Sequence, residues 1–279
     1  MMRKVLVTRR LPAVVEALAA EFGASVDVVQ WDSETEAVPR DFLLANAEGC
    51  TAILCMLTDT IDDAVLKAGG DSLKVVSTMS VGYNHIDTAA CSAAGVAVGF
   101  TPGVLDATTA ETAVALVFAA SRHVVSSAGA ARSGEWGTWQ PWQFCGQDVG
   151  GADRTLGIVG LGRIGATFAR FMSGLGMKVV YSGPREKVEE AAAIGAQYRT
   201  FDELCAESDV ISIHCPLNDA THHLINAEAL AKMKPSAVLV NTSRGPVVDQ
   251  EALADALEAG VGESILSSAV YIVVGAVYV

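Results

Sequence analysis

Between an apolar run, Leu156–Val159, and a helical pattern over Ile164–Leu175 stands the turn Gly160-Leu161-Gly162-Arg163-Ile164-Gly165. A G-x-G-x-x-G run alone says little. Placed between a strand and a helix, it specifies a βαβ unit suited to a dinucleotide. The first glycine permits the tight turn, the second lets a pyrophosphate approach the backbone, and the third lets helix and strand pack closely. The helix end then turns unpaired N–H groups and its positive dipole toward phosphate. The competing interpretation is a glycine-rich turn that holds no ligand.

The rest of the chain repeats the strand–helix alternation. Strands are expected at Lys4–Thr8, Ser25–Gln30, Thr51–Leu57, Lys74–Ser80 and Val96–Phe100, with helices at Pro12–Phe22, Asp41–Glu48, Asp62–Ala68 and around Ile86–Ala94. A second series follows from Thr155: strands at Leu156–Val159, Lys178–Tyr181, Val210–His214 and Val238–Asn241, and helices at Ile164–Leu175, Val188–Ile194, Ala227–Lys232 and Glu251–Glu258. Strands separated by helices of this length indicate parallel sheets. The fold class is therefore α/β with two doubly wound domains, a flavodoxin-like domain over 1–100 and a Rossmann domain over 101–260. Thr108–Arg132 reads as one long linking helix, started by Thr108 or Thr109 with Glu111, and too polar for a membrane span. Ser133–Asp153, rich in glycine and tryptophan, reads as a loop.

Composition narrows the partners. Of 279 residues, 51% are hydrophobic and 18% charged, a balance that supports packed cores. The formal charge of -13 argues against nucleic acid or an anionic membrane as partner. Cys50, Cys55, Cys91, Cys145, Cys205 and Cys215 form no metal-binding spacing, so no metal is expected. Buried free thiols and no apolar leader after Met1 suggest a cytoplasmic protein.

Which dinucleotide would bind is decided at the end of the second strand of the unit, about twenty residues beyond the turn. NAD sites place a carboxylate there for the ribose hydroxyls. This chain has Ser182-Gly183-Pro184-Arg185 instead. Serine and arginine can accept a 2′-phosphate that a carboxylate would repel, so NADP(H) is favoured over NAD(H). The alternative for Arg185 is an ordinary solvated charge.

Ser80-Val81-Gly82-Tyr83-Asn84-His85-Ile86-Asp87, the glycine turn, His214-Cys215-Pro216-Leu217 and Asn241-Thr242-Ser243-Arg244-Gly245 follow one another in that order. Together they resemble the D-isomer-specific 2-hydroxyacid dehydrogenases, over about Lys4 to Gly260, and most closely their glyoxylate/hydroxypyruvate reductase branch. The resemblance implies a small 2-keto or 2-hydroxy acid substrate, a homodimer and a defined set of site residues. Val81 and Gly82 would bind the substrate carboxylate through backbone N–H groups, and Arg244 would hold carboxylate and carbonyl. Gly160, Gly162, Arg163, Ile164, Gly165, Ser182, Gly183, Arg185, Pro216 and Thr242 would line the dinucleotide. Trp139 resembles an aromatic that reaches the neighbouring subunit's site; a packed loop tryptophan is the equal alternative.

One part of the pattern departs. The family's glutamate and its paired proton-donating histidine lie downstream of the arginine. Here the text changes after Gly260, and Val261–Val279 contains no histidine. This apolar tail over 261–279 reads as an altered ending to an incomplete Rossmann sheet, suited to an edge strand or prone to aggregate. His85, His123, His214, His222 and His223 are poor substitutes, with His85 alone near the carboxylate loop. Three functional readings follow: a weak or inactive reductase of glyoxylate or hydroxypyruvate, a non-catalytic dinucleotide-binding interaction protein, or an unstable truncated isoform.

Overall fold

A computed structural model describes residues 2–258 and the short strand Ile272–Val274. The packing divides the chain into two compact units, Met1–Val104 and Leu105–Val279. Other expectations for 259–279 lie outside the described residues.

The first unit runs β1 (Arg3–Val7), α1 (Pro12–Phe22), β2 (Val26–Gln30), α2 (Arg40–Ala47), β3 (Cys50–Cys55), α3 (Asp63–Gly69), β4 (Val75–Thr78), α4 (Thr88–Ala93) and β5 (Ala97–Gly99). The strands form one parallel sheet in the order β2-β1-β3-β4-β5, the flavodoxin-like arrangement. Right-handed crossovers put α2, α3 and α4 on one face and α1 alone on the other. The three-helix face holds the core: Leu6, Leu43, Ile53, Val65, Leu73 and Val76 are sealed from solvent. On the opposite face α1 buries no residue fully. A groove of about 380 Å³ remains there, lined by Val5, Val14, Leu18, Phe22, Leu54 and Val75 among others.

The second unit runs α5 (Asp106–Ser121), α6 (Val124–Ser133), β6 (Thr155–Val159), α7 (Arg163–Ser173), β7 (Lys178–Ser182), α8 (Val188–Ala192), β8 (Gln197–Tyr198), α9 (Phe201–Glu207), β9 (Val210–Ile213), α10 (Ala227–Lys232), β10 (Val238–Asn241), α11 (Gln250–Glu258) and β11 (Ile272–Val274). Its sheet order is β11-β10-β9-β6-β7-β8, all parallel. Renumbered within the unit, that is the 3-2-1-4-5-6 order of a dinucleotide fold. Central strands β9 and β10 are buried at every position, as unbroken apolar runs must be when both sheet faces are covered. The strand read into the tail pairs with β10, Leu239 opposite Ile272 through Asn241 opposite Val274.

Two expectations require correction. The long helix over Thr108–Arg132 is two helices bent by 63°. The Ser121 carbonyl, needed to continue the first helix, is taken by the Gln147 N–H at 2.8 Å. The Ser121 hydroxyl bonds back to Val117 at 2.7 Å, and His123 adopts a left-handed φ of 53°. The helix also starts at Asp106 rather than at Thr108 or Thr109: the Thr109 N–H already donates to the Leu105 carbonyl at 2.9 Å, which makes Leu105 the N-cap. No single helix among the described residues is long and apolar enough to cross a membrane.

Candidate functional site

The glycine turn sits where the strand order reverses, between β6 and β9. Gly160 has φ +95°, and a Cβ there would lie 2.8 Å from the Cys215 nitrogen. The turn is thus pressed against the chain leaving β9. The Gly160 N–H donates to the Ser182 carbonyl at 2.9 Å, tying the ends of β6 and β7 together. At Gly165 a Cβ would meet the Gly160 carbonyl oxygen at 2.4 Å, so α7 can approach β6 only with glycine there.

Gly162 differs. It caps α7 without a side-chain bond, at an ordinary φ of −89°, and a Cβ would meet nothing within 4 Å. The fold has no need of glycine there; the space lies open at a helix N-terminus, where the last residue before the helix leaves N–H groups unpaired. Thr242 Oγ1, at the carboxyl end of β10, is buried with no partner among the described residues. A bare helix end and an unsatisfied buried hydroxyl on one sheet edge fit a dinucleotide.

The other expected cofactor residues fall along that edge or beside it. Ser182 is buried as the last residue of β7. The Gly183 carbonyl accepts from the Tyr198 hydroxyl at 3.0 Å, and Arg185 is exposed. Pro216 is exposed after His214 and Cys215, while Ile164 is half-buried in the first turn of α7. Arg163 pairs with Asp106, Nε to Oδ2 3.1 Å. That partner was missed in the sequence, since nothing local links positions 106 and 163. Burial lowers the His214 pKa to about 4, and its Nε2 shares a 2.9 Å hydrogen bond with Ser212 Oγ. The imidazole is therefore neutral near pH 7.

Asn241 is the second residue that sequence reasoning passed over. Its amide donates to the Arg244 carbonyl at 2.8 Å, and its Oδ1 accepts from the Ser243 N–H and hydroxyl, both at 2.9 Å. An asparagine ending a strand is an Asx-turn signal, and here it folds the turn that presents Arg244. Arg244 is half-buried, donates to the Ser243 carbonyl at 2.8 Å, and has its pKa lowered by burial.

Val81 and Gly82 belong to the first unit, in the loop that leaves β4. Both are half-buried. Trp139 is 78% exposed in the loop after α6, as are Trp136 and Trp142 in large part. The remaining histidines are otherwise engaged. His222 and His223 stack at 4.0 Å, with His223 3.7 Å from Asp249, and His123 marks the α5–α6 bend.

Residues 114–266 match the family model described as "D-isomer specific 2-hydroxyacid dehydrogenase, NAD binding domain". The chain belongs to the D-isomer-specific 2-hydroxyacid dehydrogenases. Within that family it is 41% identical over 258 residues to the human glyoxylate reductase/hydroxypyruvate reductase, covering 92% of this chain and 77% of the human enzyme. The glyoxylate reductase of Thermococcus litoralis is 40% identical over 261 residues, with the same shares. The crystal structure of a glyoxylate reductase from Paecilomyes thermophila superposes with a TM-score of 0.80 at 33% identity, over 93% of this chain and 79% of that one. A 2-hydroxyacid dehydrogenase lineage and a nicotinamide dinucleotide as cofactor follow for this chain.

Proposed function

We propose that this 2-hydroxyacid dehydrogenase uses NADP(H), and that the small 2-keto acid it handles is glyoxylate or hydroxypyruvate. The observation that carries the cofactor half is the open helix end at Gly162, with the Thr242 hydroxyl at the carboxyl end of β10 buried and without a partner among the described residues. Gly160, Gly162, Arg163, Ile164 and Gly165 would cradle the pyrophosphate, with Pro216 and Thr242 along the cleft edge. Ser182, Gly183 and Arg185 would take the 2′-phosphate, since a hydroxyl and an exposed guanidinium stand where a carboxylate would exclude it. Held there, the reduced nicotinamide would be the source of hydride for the keto carbon.

The chain's own residues bind and polarise. Arg244, a permanently charged planar fork, would hold the carboxylate and steady the oxygen that gains charge. Val81 and Gly82 would accept the carboxylate on backbone N–H groups. The substrate domain corresponds to 1–100 and the dinucleotide domain to 101–260. Slow turnover is part of the proposal, because reduction requires a proton donor and the histidines among the described residues are held in other contacts. Four histidines are a neutral ring bonded to serine, a stacked pair and a helix break, and His85 is tied to Thr78. That engagement also favours a second reading, a dinucleotide-binding protein that does not turn over.

The exposed Trp139, Trp142, Val124 and Val125 suit a homodimer contact, with Trp139 reaching the partner's site. Six free thiols suit a reducing, cytoplasmic setting. The test is NADPH binding by fluorescence alongside NADPH oxidation with glyoxylate and with hydroxypyruvate. Binding with slow oxidation supports the proposal; oxidation at ordinary dehydrogenase rates overturns slow turnover, and absent binding overturns the whole reading.

A further inference from the structure

The loop after β4 contains a hydrogen-bond chain whose direction is fixed by proton counting. Ser80 Oγ donates to the Gly82 carbonyl at 2.6 Å. A hydroxyl has one proton, so in its 2.9 Å contact with Thr78 the serine must accept. The Thr78 proton is then spent, and in the 3.0 Å contact with His85 Nε2 the threonine must accept in turn. His85 therefore carries a proton on Nε2. Cys55 Sγ lies 3.8 Å from the same nitrogen. Burial first, then the Asp59 charge, pushes this thiol up to about 12, so it stays protonated. Thr78 is fully sealed and Ser80 is 4% exposed, so no solvent can replace either partner.

This chain controls where the loop's amides point. In a trans peptide the carbonyl and the following N–H are antiparallel, and the structure contains no cis peptide among its described residues. The Thr101 N–H holds the Ser80 carbonyl at 2.9 Å, so the Val81 N–H faces away from Thr101. Ser80 Oγ holds the Gly82 carbonyl, so the Tyr83 N–H faces away from Ser80. The N–H groups of Val81, Gly82 and Tyr83 donate to nothing among the described residues. Three successive amides are thus available to donate to an anion.

We propose that His85, Thr78 and Ser80 are positioning residues that preset this loop, and that the Tyr83 N–H joins Val81 and Gly82 in receiving the substrate carboxylate. This rests on the reading of Val81–Gly82 as the carboxylate loop. The relay does no chemistry. It removes the cost of turning the Gly82–Tyr83 peptide when the anion arrives.

Titration of the full-length chain with oxalate, followed by amide resonances, tests both levels. The expected result is movement of the Val81, Gly82 and Tyr83 amide signals in the wild type. Ser80→Ala should weaken oxalate about tenfold, the scale of one buried hydrogen bond. Ser80→Thr should restore it, and NADPH affinity should stay unchanged in both. If Ser80→Ala does not fold, His85→Gln, which keeps a donor, is compared with His85→Leu, which does not; only the latter should lose affinity. Silent wild-type amides in the loop overturn the carboxylate reading and the relay with it. Amides that shift alike in wild type and Ser80→Ala, at equal affinity, overturn the relay alone.

Discussion

Arg163, the first residue of α7, turns its Nε to the Asp106 carboxylate 3.1 Å away at the first turn of α5. The guanidinium is 62% exposed and the carboxylate 18%, while Asp106 Oδ1 is buried with no partner among the described residues. The negative charge thus stands beside the helix end proposed to meet phosphate, and it neutralises the nearest cation. Asp106→Asn should tighten NADPH binding by about two- to fivefold, the range of a solvent-screened ion pair. The gain should shrink as salt is added. Fluorescence titration at two ionic strengths checks it, and weaker binding in the variant at low salt would refute it.

The glycines of the turn should separate folding from binding. Gly165→Ala puts a methyl 2.4 Å from the Gly160 carbonyl and should destabilise by about 1–3 kcal/mol through overpacking. Gly162→Ala enters open space and should leave the thermal midpoint unchanged while weakening NADPH about tenfold or more. Calorimetry and fluorescence on the same samples distinguish the two. A Gly162→Ala variant that binds NADPH normally removes the phosphate from that helix end.

Cofactor choice should follow the charge at the end of β7. Ser182→Asp places a carboxylate where the 2′-phosphate is proposed to sit. It should weaken NADPH by about tenfold or more and improve NADH relative to NADPH. Arg185→Ala should weaken NADPH alone. The comparison of dissociation constants for both cofactors is decisive, because an unchanged ratio in both variants would locate the choice elsewhere.

His214 should make stability depend on pH. Its folded pKa, about 4, lies below the ordinary 6.5, so between the two the unfolded chain binds more protons. The stabilising contribution is complete above about pH 6.5, is lost as pH falls toward 4, and is level below that. At its largest it amounts to about 3 kcal/mol. Urea midpoints across this range should slope more steeply for the wild type than for His214→Asn. Parallel slopes would mean that the ring is solvated.

Strand–helix alternation makes both sheets legible in the sequence, because apolar periodicity is written locally. Pro12–Phe22, Ala227–Lys232 and Val238–Asn241 begin and end where the sequence puts them. What escaped was short or depended on distant partners. Helix α9 is only Phe201–Glu207, although Thr200 and Glu203 form a capping box that the sequence displays. The break at His123 depends on Gln147 taking the Ser121 carbonyl, a bond between residues too far apart to pair by pattern. In the site, the glycine turn could be read because Gly160 and Gly165 answer local steric demands and Gly162 completes their spacing. The Arg163–Asp106 pair and the His85–Thr78–Ser80 relay could not, because folding assembles them from separate segments.

The groove beneath α1 inverts an ordinary signal of unfolding. Dyes that brighten in apolar surroundings usually mark loosened intermediates, in which buried surface has become accessible. Here an ordered sheet face already offers Val5, Leu54 and Val75 to such a probe, with Leu18 and Phe22 alongside. The native protein should therefore be the bright species, and brightness should fall monotonically as urea dissolves the β1–β3–β4 face. A rise at low urea would show that the groove is closed in solution.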